Sequence, residues 1–189
     1  MKILKDSYQG VSEIFQYYWD IYGGWRALLV SPYLHIAILL LIFTHHQWMS
    51  RDWWEQSLSI LPNLLGFSLG GFAIFLGLGD EQFRAILAAK DENEKSSVYT
   101  VVSATFVHFI LVQGLGIIFA LLAKALAYQP IWLPDNYMFY FAYITPIFWG
   151  IGYLFLLYAL TSMIAVVMAI FRCTRLYEKY QEINNNEDN

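Results

Sequence analysis

Four apolar runs divide the chain, at residues 32–48, 58–78, 98–127 and 136–171. A helix rises about 1.5 Å per residue and needs roughly 20 apolar residues to cross about 30 Å of hydrocarbon. Each run therefore predicts a transmembrane helix. Ser31 and Pro32 suit the cap and first turn of the first. The third and fourth exceed a straight crossing, which predicts tilt, a kink or projection beyond the lipid, with Pro146 as the kink. Asp135 is placed to cap the fourth, after Pro130 and Pro134 have broken the chain direction.

Ahead of the first run the pattern changes. Leu4, Tyr8, Val11, Phe15, Tyr18 and Tyr22 recur at helical spacing, while Lys5, Asp6, Gln9, Glu13, Gln16 and Asp20 fill the other face. This predicts an amphipathic helix lying along the inner membrane surface or packed on the cytoplasmic ends of the crossings. The charged stretch at residues 80–95 predicts a short helix capped by Asp80 and then a turn. The final six residues, 184–189, contain nothing apolar and predict disorder. The fold class expected is an all-α membrane protein, a four-transmembrane-helix bundle with an N-terminal amphipathic interfacial helix. Its parts are a cytoplasmic helix over 1–31, the transmembrane domain over 32–171, and a cytoplasmic helix extension and tail over 172–189.

Composition supports the same solvent. Hydrophobic residues make up 58% of the 189 and charged ones 14%, well under the roughly one quarter usual for soluble domains. Aromatics reach 19% and favour the bilayer boundary, where ring and polar tip are both satisfied. Trp48, Trp53 and Trp54 in one short connection, and Trp132 in another, read as interface anchors. The net charge of −4 matters less than where the cations lie. Lys2, Lys5 and Arg26 precede the first run, Arg84, Lys90 and Lys95 separate the second and third, and Arg172, Arg175 and Lys179 follow the fourth. Elsewhere only Arg51 and Lys124 occur, the latter able to snorkel. Positively charged flanks stay inside during insertion, so both termini are expected in the cytoplasm. No signal peptide is read at the start, and Cys173, the one cysteine, excludes a disulfide framework and reads as a buried thiol.

The motifs of nucleotide, metalloprotease and serine-hydrolase chemistry are missing, which argues against an enzyme and against a cofactor or metal site. His45 and His46 fall at an outer boundary and read as solvated. His35, His108 and Gln113 fall inside apolar runs, where polar groups turn toward protein or water. They form either a polar seam bonded to neighbouring helices or, in the alternative reading, the lining of a small ion channel or transporter.

The second run is the most distinctive. Gly66 and Gly70 make a GxxxG face, joined by Gly71 and Gly77, and Gly114 and Gly116 in the third run and Gly150 and Gly152 in the fourth add further narrow surfaces. In lipid, such faces let backbones approach, within one chain or between copies. A tightly packed bundle or a homo-oligomer is therefore expected, with a tetramer as the first guess for the latter.

The stretch Pro-Asn-Leu-Leu-Gly-Phe-Ser-Leu-Gly-Gly-Phe-Ala-Ile and the following Gly-Asp-Glu-Gln-Phe, within residues 62–83, resembles the KwaA membrane subunits of the bacterial Kiwa antiphage defence system. The resemblance implies a non-enzymatic sensor or scaffold in the bacterial inner membrane, homo-oligomeric, working with a cytoplasmic DNA-binding effector, KwaB. Arg84, Lys90, Lys95, Arg172, Arg175 and Lys179 are the cytoplasmic surface where such a partner would dock, besides their role in setting topology. Direct nucleic-acid binding is disfavoured, because Asp80, Glu81, Asp91, Glu92, Glu94, Glu178 and Glu182 share those segments and cancel the field.

Overall fold

The structure, a computed structural model, describes residues 2–50, 52–90, 94, 96–127 and 135–187, with no side-chain description at 2–5, 135–143, 184, 186 and 187. Arg51, Lys95, Asp91, Glu92, Pro130, Trp132 and Pro134, each given a role above, lie outside the described residues. Among the described residues there are eight helices and no strand. They are α1 (Lys2–Tyr22), α2 (Gly24–Val30), α3 (Pro32–Phe43), α4 (His45–Met49), α5 (Trp53–Leu76), α6 (Glu81–Ala88), α7 (Val98–Leu126) and α8 (Asp135–Glu187).

Three helices are long and apolar enough to cross a membrane: α5, α7 and the part of α8 from Ile144 to Ile183. The first apolar run behaves differently from the expected single helix over 32–48. It is divided into α3 and α4, and α3 alone, at 12 residues, is short of a crossing. Together with α2 it passes the length test as a pair bent by 53°. The bend has a local cause. Pro32 has no N–H and forces the residue before it out of helical geometry, so Ser31 is extended at φ −61° and ψ 120°. Arg26, placed before the crossing by its charge, consequently stands in the first turn of α2.

Gly23 separates α1 from α2 at φ +100°, and a Cβ there would also lie 2.9 Å from that of Ala27, so only glycine fits the break. At the other end of the chain, α8 continues through Pro146 and runs to Glu187. Asn184, Asn185 and Asn186, which composition assigned to a disordered tail, are helical. Extending an existing helix fixes one residue per hydrogen bond and is far easier than starting one.

The chain falls into two compact units. The first comprises Met1–Ser31, Gly71–His108 and Ala165–Asn189, and the second Pro32–Gly70 and Phe109–Ile164. In the first unit, Phe75 stacks on Phe106 at 5.7 Å and on Tyr99 at 5.4 Å. Helix α6 starts where the Asp80 carboxylate accepts from the Phe83 amide at 2.7 Å, the expected cap. Phe83 is then 1% exposed, against the rings of Tyr177 and Tyr180, and the Tyr180 hydroxyl donates to Gln82 Oε1 at 3.0 Å. Helix α6 is thereby fastened to the C-terminal extension of α8.

In the second unit, Phe119 packs between Phe148 and Phe155, each at 5.1 Å. Thr161 Oγ1 donates to the Tyr33 carbonyl at 2.9 Å and ties α8 to α3. Lys124 Nζ lies 2.8 Å from Glu55 Oε1, with both side chains half exposed. Trp53 and Trp54 depart from the anchor role read for them. At 3% and 4% exposure they are covered by protein, edge-on to Tyr153 and Trp149 respectively.

The outward faces carry Phe43, Phe67, Ile74 and Ile144, all widely exposed. Apolar surface of this extent is unfavourable in water and suits hydrocarbon.

Candidate functional site

His108 is the polar centre of the first unit. It is 8% exposed on α7, its Nδ1 lies 2.6 Å from the Tyr18 hydroxyl of α1, and the Tyr22 ring stacks on it at 3.9 Å and 14°. Tyr18 and Tyr22 are one turn apart on the apolar face read from the sequence, so a single helical face supplies both contacts. Burial, and after it the neighbouring Tyr22 phenol, raises the Tyr18 pKa above the ordinary phenol value. Tyr18 is therefore a neutral hydroxyl at physiological pH. When it donates to Nδ1, the imidazole proton belongs on Nε2. The cluster fastens the end of α1 to α7.

Tyr18→Phe keeps the ring and removes the hydroxyl from a buried partner, a change expected to cost about 1–3 kcal/mol. Limited proteolysis of α1 should accelerate in this variant. The same change at Tyr8, whose side chain is exposed, should leave the digestion rate unaltered.

Gln113 belongs to the second unit and is fully buried. Its Nε2 donates to Ser68 Oγ at 3.0 Å, while the Ser68 hydroxyl reaches the Leu64 carbonyl at 2.6 Å. His35, on α3, is exposed. Each within its own unit, His108 meets the tyrosines of α1 and Gln113 meets Ser68 of α5.

The glycines sort into two groups. A Cβ on Gly116 would lie 2.7 Å from Leu61 Cδ1, and one on Gly152 would lie 2.5 Å from Trp53 Cη2. Gly150 accommodates Trp48 at 3.5 Å, and Gly71 meets Phe106 at 3.9 Å. These positions serve packing inside the chain. Among the described residues, nothing stands within 4 Å of where a Cβ would be at Gly66, Gly70 and Gly114, and at Gly77, just past the end of α5, only the Ala73 and Ile74 carbonyls are near. Among the described residues the GxxxG face of α5 is therefore bare, whereas the space at Gly116, grouped with it by spacing, is filled by Leu61 and Phe155.

The described residues of the expected docking set, Arg84, Lys90, Arg172, Arg175 and Lys179, belong to the first unit. Arg84 is half-buried on α6, and Lys90, Arg172, Arg175 and Lys179 are exposed. Phe83 brings α6 against the α8 extension, so Arg84, Arg175 and Lys179 occupy joined elements. Sequence spacing gave no sign of that joint, because Gln82 and Tyr180 are 98 residues apart. Nor did it pair Lys124 with Glu55. Among the described residues, no three His, Cys, Asp or Glu side chains gather in a metal-binding arrangement.

No family model matches this chain, and neither does any curated protein or solved structure.

Proposed function

We propose that this chain is a non-enzymatic sensor or scaffold subunit of an antiphage defence complex, embedded in the bacterial inner membrane as a homo-oligomer that docks a cytoplasmic effector. The observation that carries the assembly is the bare face at Gly66 and Gly70. Helices in lipid associate by close packing, since lipid tails are as apolar as leucine, and a face stripped of side chains is where a second helix gains most. The same two glycines stand in the stretch that resembles the Kiwa membrane subunits, and that resemblance supports the defence role and a DNA-binding KwaB-like partner. A tetramer is the assembly to test first.

In this reading α5, α7 and α8 make three crossings and the bent α2–α3 pair makes a fourth, leaving both termini in the cytoplasm. Arg26 then reaches the boundary from the first turn of α2, as long cationic side chains can. The exposed Tyr8, Val11 and Phe15 of α1 rest on the inner surface as an interfacial helix. Arg84, Arg175 and Lys179 face the effector. Reporter fusions check the topology: signals from both ends should be cytoplasmic, and ends on opposite sides would mean three crossings and overturn this arrangement.

Detergent pull-down with the product of the neighbouring gene tests the complex. A stable protein partner is expected, and the combined changes Arg84→Glu, Arg175→Glu and Lys179→Glu should lower its recovery about tenfold. Failure to recover any partner, from cells with or without phage, overturns the reading. A channel lined by His35, His108 and Gln113 has less behind it, because His108 and Gln113 are held by Tyr18 and Ser68. Ion conduction by reconstituted protein that is lost in His108→Ala would reverse that preference.

A further inference from the structure

A half-open recess of about 430 Å³ lies in the first unit, among the end of α1, the segment entering α7 and the α8 extension. Its volume is within the range of small-molecule sites. Asp20, Glu94 and Arg172 bring two carboxylates and one guanidinium to its lining, and Ser96 adds a hydroxyl. Among the described residues, no ion pair joins either carboxylate to Arg172. Val98 and Val101 form an apolar part of the wall, and Val101 is substantially exposed.

The arrangement selects a ligand by its charge pattern. A simple anion would meet two carboxylates, and a simple cation would meet the guanidinium. A molecule carrying both signs, separated by a short linker, satisfies all three groups. Arg172 offers the fork that suits a phosphodiester. Val98 opens the 29-residue helix α7, whose N-terminal end adds positive partial charge to that part of the lining. Asp20 and Glu94 are acceptors for an ammonium with N–H donors. That requirement excludes a trimethylated amine, which has none. The valine wall adds a surface for the glycerol and acyl part of a lipid, and the apolar helices of this chain place it among lipids.

We infer that the recess binds the headgroup of an ethanolamine phospholipid, with the phosphodiester on Arg172 and the ammonium at Asp20 and Glu94. The inference rests on the chain residing in a bilayer and is independent of the antiphage reading.

Native mass spectrometry of the full chain in detergent provides the test, with ethanolamine, choline and glycerol phospholipids of identical acyl chains as probes. The ethanolamine lipid should be retained about tenfold more than either of the others, because only it matches both charges. Arg172→Gln, and separately the pair Asp20→Asn with Glu94→Gln, should each remove about that factor, while Arg172→Lys restores part of it and Glu13→Gln changes nothing. Helix content by circular dichroism accompanies every variant, and if one loses its fold the other provides the comparison. Equal retention of the three lipids overturns the inference, as does undiminished retention in both folded variants. Displacement by soluble glycerophosphoethanolamine as effective as by the intact lipid would assign the recess to a free metabolite and overturn its lipid occupant.

Discussion

Gly152→Val is expected to lower the stability of the chain by about 3 kcal/mol, the upper part of the range for overpacking a well-filled site. The new Cβ would lie 2.5 Å from Trp53 Cη2, 3.1 Å from Cζ2 and 3.3 Å from Phe119 Cβ. Flexible neighbours could yield, but these cannot do so easily. Trp53 is buried and edge-on to Tyr153 at 5.9 Å, and Phe119 is confined between two further rings. Moving the indole disturbs both contacts, and the γ-methyls of valine enlarge the overlap. The comparison is Gly114→Val, where nothing stands within 4 Å and the effect should stay below about 1 kcal/mol. Thermal unfolding followed by tryptophan fluorescence in detergent checks both. Equal midpoints would mean that the α5, α7 and α8 packing around Gly152 is looser than described.

Replacing Gly66 and Gly70 together by leucine should give the opposite result. The protomer has open space at both positions, so its own unfolding midpoint should hold. Two leucines would keep a partner helix from approaching the backbone, and small-residue interfaces in lipid tolerate this poorly. The mass of the protein part of the detergent particle is expected to fall from a multiple of 22.0 kDa, four for a tetramer, to one copy. A wild-type particle with one copy, or a double variant that retains its mass, removes the assembly from the proposal. Gly66→Leu with Gly70→Leu and Gly152→Val thus separate contacts between copies from contacts within one.

Local pattern made some of this fold legible and left the rest hidden, for identifiable reasons. The run at 98–127 reproduces α7 because its limits are chemical: Ser97 Oγ accepts from the Thr100 amide at 3.3 Å at one end, and Lys124 marks the other. Helix α5 begins at Trp53, five residues before the predicted 58, because Glu55 is paired with Lys124 and the early tryptophans are covered by α8. Hydropathy scores those residues as boundary, since it does not see what covers them. The Ser31–Pro32 pair was a correct mark of a helix start, yet it could not show that another helix, α2, ends there. Glycine spacing identified Gly66, Gly70, Gly114 and Gly116 alike, and only the opposing atoms distinguish the last from the others. The Tyr18–His108 bond joins residues 90 apart, a separation over which no periodicity carries information.

Cys173 has a practical consequence. It is the sole thiol of the chain and has no exposed surface in the fold. A cysteine introduced at an open position such as Lys90 can accept a dye without first making a cysteine-free background. Slow alkylation of Cys173 itself becomes a clock for transient opening of the α8 extension, since reagent reaches the sulfur only while the surrounding side chains are apart.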